Sequence, residues 1–193
     1  MAIPKILVFA SSTRTGSHNV KLAALATKEL TLIDADVTRI SLADYPLPIY
    51  DADLDARTGQ PANALKLKQM IMAHHGVFIA SAEYSASVTP LLKNAIDWVS
   101  RVRERGDPTY AAFRGRVFAI SAASVGPAGG LHSLTALRQI LELGCGALVI
   151  PEQVAIPSAD QAFDDMDNIV DTRIANQFRA QLTRLVDMAR LMM

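Results

Sequence analysis

The chain has 193 residues, half of them hydrophobic, with 19 basic residues against 19 acidic ones. That length and apolar content suffice for one core, so a single domain over residues 1–193 is expected. The cancelling charges exclude the broad field that draws a protein to nucleic acid or an anionic membrane, and neither is an expected partner.

No apolar stretch approaches the length of about 18 residues that a membrane helix needs, and no charged segment followed by a cleavable apolar run opens the sequence. A cytoplasmic location is expected. Ile3 to Ala10 (IPKILVFA) is a short continuous apolar run with β-branched members, the pattern of a strand covered on both faces. From His18 to Leu32 the apolar residues crowd one side of a helix that Asp34 closes, and Ala35 to Ile40 reads as a second strand. Residues 41–60 carry two prolines, four aspartates and a glycine, which predicts a long exposed connection. Pro61 suits the first turn of a helix running to His74 or His75, with Gly76 terminating it, and Gly76 to Ala82 is the next buried strand.

Pro90 opens a helix through Arg101 with Leu91, Leu92, Ala95, Ile96 and Val99 on its apolar face. Residues 116–124 form a fourth strand, Leu131 to Gly144 a helix, Ala147 to Ile156 a fifth strand and Asp171 to Met193 a long final helix. Short apolar strands alternating with helices imply an α/β fold, a three-layer, doubly wound parallel sheet of five strands. In such a sheet a ligand lies beyond the carboxyl ends of the strands. Three loops meet there: Ser11 to Asn19, Glu83 to Thr89 and Ser121 to Gly130.

The first loop reads SSTRTGSHN. It follows a central strand and opens a helix, where backbone N–H groups lack intrahelical partners and the macrodipole favours an anion. Ser12, Thr15 and Ser17 offer hydroxyls, Asn19 an amide and Arg14 a guanidinium, while Gly16 lets the backbone curl. Such a set suits a phosphate monoester; read alone, it suits a helix start that caps itself equally well. The loop has neither the GxxxxGK[ST] nor the GxGxxG pattern, and it has no cysteine to serve as a phosphatase nucleophile. The second loop sets Glu83, Tyr84, Ser85 and Ala86 beyond the third strand, and the third (SVGPAGG) leaves space rather than filling it. Together they describe a phosphate site beside a flat slot.

These three stretches carry a resemblance. SSTRTGSHN is similar to GSxRxGSxN, AEYSASVTPLLKNAIDWVSR to PEYNxSxPxxLKNAIDWxSR, and SVGPAGGLHSLTALRQIL to a Ser/Gly stretch before a helix carrying LRxxL. Over essentially its whole length the chain resembles the NAD(P)H-dependent FMN reductases, a flavodoxin-like family that includes quinone, azo-dye, nitro-compound and chromate reductases. The resemblance implies strand order 2-1-3-4-5, FMN as cofactor and NADPH or NADH as hydride donor. It implies hydride transfer to the flavin and then reduction of a small acceptor such as a quinone, azo or nitro compound, chromate or free flavin, with no catalytic acid or base. Ser12, Arg14, Ser17, His18 and Asn19 would surround the phosphate, and Glu83, Tyr84, Ser85, Ala86 and Ser124 would border the ring. A homodimer or homotetramer is implied as well. The sequence departs from the pattern at Ser11 (usually Gly), Ala82 (usually Pro) and Ser85 (commonly Asn). An electron-carrying flavodoxin without NAD(P)H turnover is the alternative reading, though zero net charge is unlike a carrier that steers partners with an acidic surface.

The remaining candidates read as structural. Cys145 is expected to be a buried small hydrophobe rather than a nucleophile. The four histidines show no metal-ligand spacing, and His74 and His75 are expected at a helix C-terminus as favoured cations. Asp160, Asp164, Asp165 and Asp167 are expected to be solvated charges before the last helix. The arginine-rich run from Arg101 to Arg116 is expected to be a solvated surface at the edge of the sheet opposite the flavin. Pro46, Leu47, Pro48 and Tyr50 suit either the wall of a substrate slot or a subunit contact.

Overall fold

The computed structural model describes residues 3–193. In chain order it runs β1 (Lys5–Ala10), α1 (His18–Leu32), β2 (Asp36–Arg39), α2 (Ala52–Thr58), α3 (Ala62–Met72), β3 (Gly76–Ala80), β4 (Glu83–Tyr84) and β5 (Ser87–Val88). It continues with α4 (Pro90–Arg101), β6 (Val117–Ala123), α5 (Leu131–Gln139), β7 (Leu148–Ile156) and α6 (Thr172–Arg190). Five strands pair in parallel in the order β2-β1-β3-β6-β7, which is the expected 2-1-3-4-5 once the β4–β5 hairpin is set aside.

The unbroken apolar runs have a direct cause. Along β1, Ile6, Val8 and Ala10 pack toward α1 and α6, whereas Leu7 and Phe9 pack toward α3, α4 and α5. Both faces are therefore dry, and every residue of β3 and β6 is buried. On one face Phe78 meets Phe178 edge-on at 5.8 Å, and on the other Phe113 stacks near Phe118 at 6.2 Å. Thr89 caps α4 by accepting from the Leu92 N–H, and Asp171 caps α6 by accepting from Ile174.

Several expectations are corrected. The 41–60 connection is not irregular throughout: it holds a 3₁₀ turn at Leu42–Asp44 and α2, whose N-terminus is capped by the Asp51 carboxylate. Leu47 and Tyr50 pack beside Trp98, with Tyr50 edge-on to it at 5.0 Å, and the Pro48 carbonyl accepts from Trp98 Nε1 and Asn94 Nδ2. Gly76 does not end a helix. It begins β3, where a Cβ would lie 2.8 Å from Ile6 Cδ1, so close packing under α6 accounts for the glycine. The helix after Gly130 stops at Gln139 and continues as a π turn over Ile140–Gly144. In β7 the register slips between Phe118/Val149 and Ile120/Gln153, and Pro151, which has no N–H to give a ladder, sits in the slip.

At the amino end of the sheet the arginine-rich run is only partly solvated. Arg116 donates to the carbonyls of Ile71, Met72, Ala111, Ala112 and Arg114, holding α3 to the segment before β6. Lys68, fully buried on α3, pairs with Glu104 at 2.9 Å and with Asp107. His74 does reach a helix end, with Nδ1 2.6 Å from the Met70 carbonyl, but burial holds its pKa below the usual range, which disfavours the expected cation. His75 instead accepts from the Lys5 N–H and ties β1 in place. Cys145 is buried, and burial pushes its thiol up to about 11.

Candidate functional site

The three expected loops converge on a cleft of about 140 Å³ at the carboxyl ends of β1, β3 and β6. Eight of the sequence candidates line it: Ser12, Arg14, Ser17, His18, Asn19, Glu83, Tyr84 and Ser124. Ala82, Ala123 and Val125 complete it, whereas Thr15, Gly16, Ser85 and Ala86 stand outside its wall.

The first loop spends some polar groups on itself, Ser12 Oγ accepting from the Arg14 N–H at 3.3 Å and the Arg14 carbonyl from the Ser17 N–H at 3.1 Å, and leaves others free. Ser17 is the N-cap residue of α1, yet its side chain makes no cap bond, which removes the self-capping alternative. Among the described residues, the N–H groups of Thr15, Gly16, His18 and Asn19 donate to no protein acceptor. Gly16 adopts φ 69, the left-handed turn that bends these amides back toward the helix start. Arg14 is exposed and forms no ion pair among the described residues. His18 Nδ1 is buried without a partner, in a ring lying parallel to Phe163 at 6.4 Å. Phe163 belongs to a fourth segment that the sequence reading missed. Lys21 holds that segment through Asp167 at 2.6 Å, while Asp164 accepts from the N–H groups of Met166 and Asn168, so these aspartates build a loop over α1 rather than float before α6.

Two cleft residues do a different job from the one expected of them. Asn19 spends its amide on the Ala123 backbone, donating from Nδ2 to the carbonyl at 2.8 Å and accepting from the N–H at 3.0 Å. It thereby ties the start of α1 to the end of β6. Glu83 turns its carboxylate to the start of α5, accepting from the Ser133 N–H at 3.0 Å, with His132 Nδ1 at 3.3 Å. Because Gly130, the N-cap residue of α5, has no side chain to offer, Glu83 takes over the anion's place at that helix end.

The second loop is a hairpin, and its sequence conceals the fact. Ser85 and Ala86 have φ 48 and 57, the pair of positive values that a type I′ turn demands, in residues that do not favour them. The hairpin carries Tyr84, 52% exposed, which lines the cleft together with Val125, 64% exposed. Ser124 is held at its base by backbone bonds to Ile156 and Ala159. A flavin mononucleotide fits this donor set: unspent amides, a guanidinium and an orphaned imidazole nitrogen suit its phosphate, and the apolar flanks suit a flat ring. No helix among the described residues is long and apolar enough to cross a membrane.

Comparison with known proteins agrees with this geometry. The NADPH-dependent FMN reductase family pattern matches residues 4–161. An NAD(P)H-dependent FMN reductase of Pseudomonas aeruginosa is 34% identical over 183 residues, covering 94% of this chain and 92% of that protein. A 2-hydroxy-1,4-benzoquinone reductase of a Burkholderia species is 31% identical, with 88% of each chain covered. Among solved structures, the flavoenzyme NAD(P)H:acceptor oxidoreductase FerB of Paracoccus denitrificans superposes with a TM-score of 0.80 at 25% identity, over 98% of both chains. The chain therefore belongs to the NADPH-dependent FMN reductase family.

Proposed function

We propose that the chain is an NAD(P)H-dependent FMN oxidoreductase that reduces a small-molecule acceptor of the quinone type, as the names of its quinone-reductase relatives support, with azo and nitro compounds, chromate and free flavin as secondary candidates. The observation that carries this reading is the first loop, where the Arg14 guanidinium and the N–H groups of Thr15, Gly16, His18 and Asn19 find no protein acceptor among the described residues and His18 Nδ1 is orphaned. FMN, when bound, supplies the redox chemistry by accepting hydride from NAD(P)H and passing the electrons on.

The residues have separable tasks. Arg14, Ser12, Ser17 and the free amides of His18 and Asn19 would hold the phosphate. Tyr84, Val125 and Ser124 border the ring. Asn19 and Glu83 keep α1, β6, the hairpin and α5 in register, so their part is positioning rather than contact with the reacting atoms. The hydride step itself requires no acid or base from the protein; what the chain contributes is alignment of donor and ring.

We read the active unit as a single cytoplasmic domain that assembles as a homodimer or homotetramer. The exposed Tyr84, Leu131 and Leu143 beside the hairpin and the π turn are the apolar surface such an assembly would use. Light scattering is expected to give a mass two or four times the 20.8 kDa chain, and a monomer would contradict that part. For the activity, protein loaded with FMN is expected to be yellow and to oxidise NADH or NADPH when a quinone is added. Absence of turnover with either nucleotide would instead fit the electron carrier.

A further inference from the structure

Ser11 lies immediately after β1 and is fully buried. All its polar groups face the segment that leads to the hairpin. Its N–H donates to the Ala80 carbonyl at 2.9 Å, its hydroxyl accepts from the Ala82 N–H at 2.7 Å, and its carbonyl accepts from Thr89 Oγ1 at 2.7 Å. Ser11 thus touches the strand before the hairpin, the residue that enters it and the residue that leaves it. Ala82 is gripped from the other side too, where its carbonyl accepts from Ser133 Oγ at 3.1 Å.

We propose that Ser11 is a positioning residue that fixes the phosphate loop and the ring hairpin at one separation, so that a single FMN meets both halves of the site without first ordering them. This rests on the reading of the site given above. A ligand that spans two prealigned half-sites gains from the second contact only while the alignment holds; when the halves move independently, part of the binding free energy goes into fixing them.

The Ser11–Ala82 contact can be probed as a coupled pair. A proline at position 82 has no N–H and needs no acceptor, and a glycine at position 11 leaves room for the proline ring. Alanine at 82 brings back a buried N–H, and the Ser11 hydroxyl is placed to accept from it.

The test is a cycle of Ser11→Gly, Ala82→Pro and the double variant, each titrated with FMN and with riboflavin by quenching of flavin fluorescence, with thermal melting of the flavin-free protein in parallel. Ser11→Gly is expected to raise the Kd for FMN about tenfold while changing that for riboflavin, which lacks the phosphate and uses one half-site, by less than about twofold. Ala82→Pro alone is expected to weaken FMN as well, because its ring meets the Ser11 hydroxyl. The double variant is expected to return FMN binding to within about threefold of the parent. Equal loss for FMN and riboflavin, unchanged FMN binding in Ser11→Gly, or a double variant no better than the worse single would each overturn the proposal. Should one single variant fail to fold, recovery in the double variant still decides. Failure of the unaltered protein to bind FMN would sink the reading of the site instead.

Discussion

The two ends of the sheet use polar groups in opposite ways. At the amino end Lys68 is matched by Glu104 and Asp107, Arg116 by five carbonyls, and His74 and His75 by one backbone group each. At the carboxyl end the Ser17 side chain caps nothing, the N–H groups of Thr15, Gly16, His18 and Asn19 lack protein acceptors among the described residues and His18 Nδ1 is orphaned. Arg14, Thr15 and Gly16 are exposed and met by water, so the costly case in this loop is the buried His18 Nδ1, a polar atom left for a bound group to complete. Arg190 Nε, the other buried side-chain atom without a partner, belongs to a guanidinium whose Nη1 already donates to Asp187.

This contrast can be broken from either end. The largest expected effect is at Lys68, whose buried stem and ion pairs serve the fold alone. Lys68→Ala is expected to lower stability by about 2–3 kcal/mol from lost stem burial, read by urea unfolding, while leaving FMN affinity within about twofold. A parallel loss of FMN affinity would mean that the two ends are coupled. At the other end Arg14→Ala is expected to raise the FMN Kd about tenfold, some 1–2 kcal/mol, with no change in stability. A destabilised Arg14→Ala with normal affinity would assign Arg14 to the fold and erase the distinction.

A smaller effect is expected at the hairpin turn. Ala86→Gly and Ser85→Asn relieve positive φ values and should each raise the melting temperature, by the equivalent of about 0.5–1 kcal/mol. A loss of stability in either would show that a side chain there does more than fill the turn. The amino end also sets an acid response. The hydrogen bond from Lys68 holds the Asp107 carboxyl below its usual range, so its contribution is present above the unfolded value near 4 and is lost as pH falls through the folded one. Lys68→Met is therefore expected to flatten the acid limb of the stability profile; an unchanged limb would assign acid sensitivity elsewhere. The smallest effect is at Cys145, whose buried thiol, raised to about 11, should resist alkylation in the native state at pH 8 and react on unfolding.

What the sequence displayed and what it hid follow from how local the cause is. The β1 run, the start of α1 at His18 and the crowding of Ser, Thr and Arg in the first loop are local, and all appear where expected. The hairpin is local too, but Ser85-Ala86 occupies a turn usually announced by Asn-Gly, so the signal was missing although the geometry is present. The partners of Asn19 and Glu83 lie 104 and about 50 residues away, and no periodicity reveals that their polar ends turn toward backbone. The capping of α2 by Asp51 was the one missed feature with a readable cue: an aspartate before Ala-Asp-Leu-Asp is a helix start, obscured by the prolines just before it. Phe163 over His18 had no cue, since it arrives on a loop after the last strand.

The central claim is that the turn after β1 holds a phosphate. Its most direct measurement is the affinity of the unaltered protein for FMN against riboflavin, titrated by fluorescence quenching in the same phosphate-free buffer. The account predicts FMN tighter by about a hundredfold, with Arg14→Ala closing much of the gap. Equal affinity for the two flavins would contradict it.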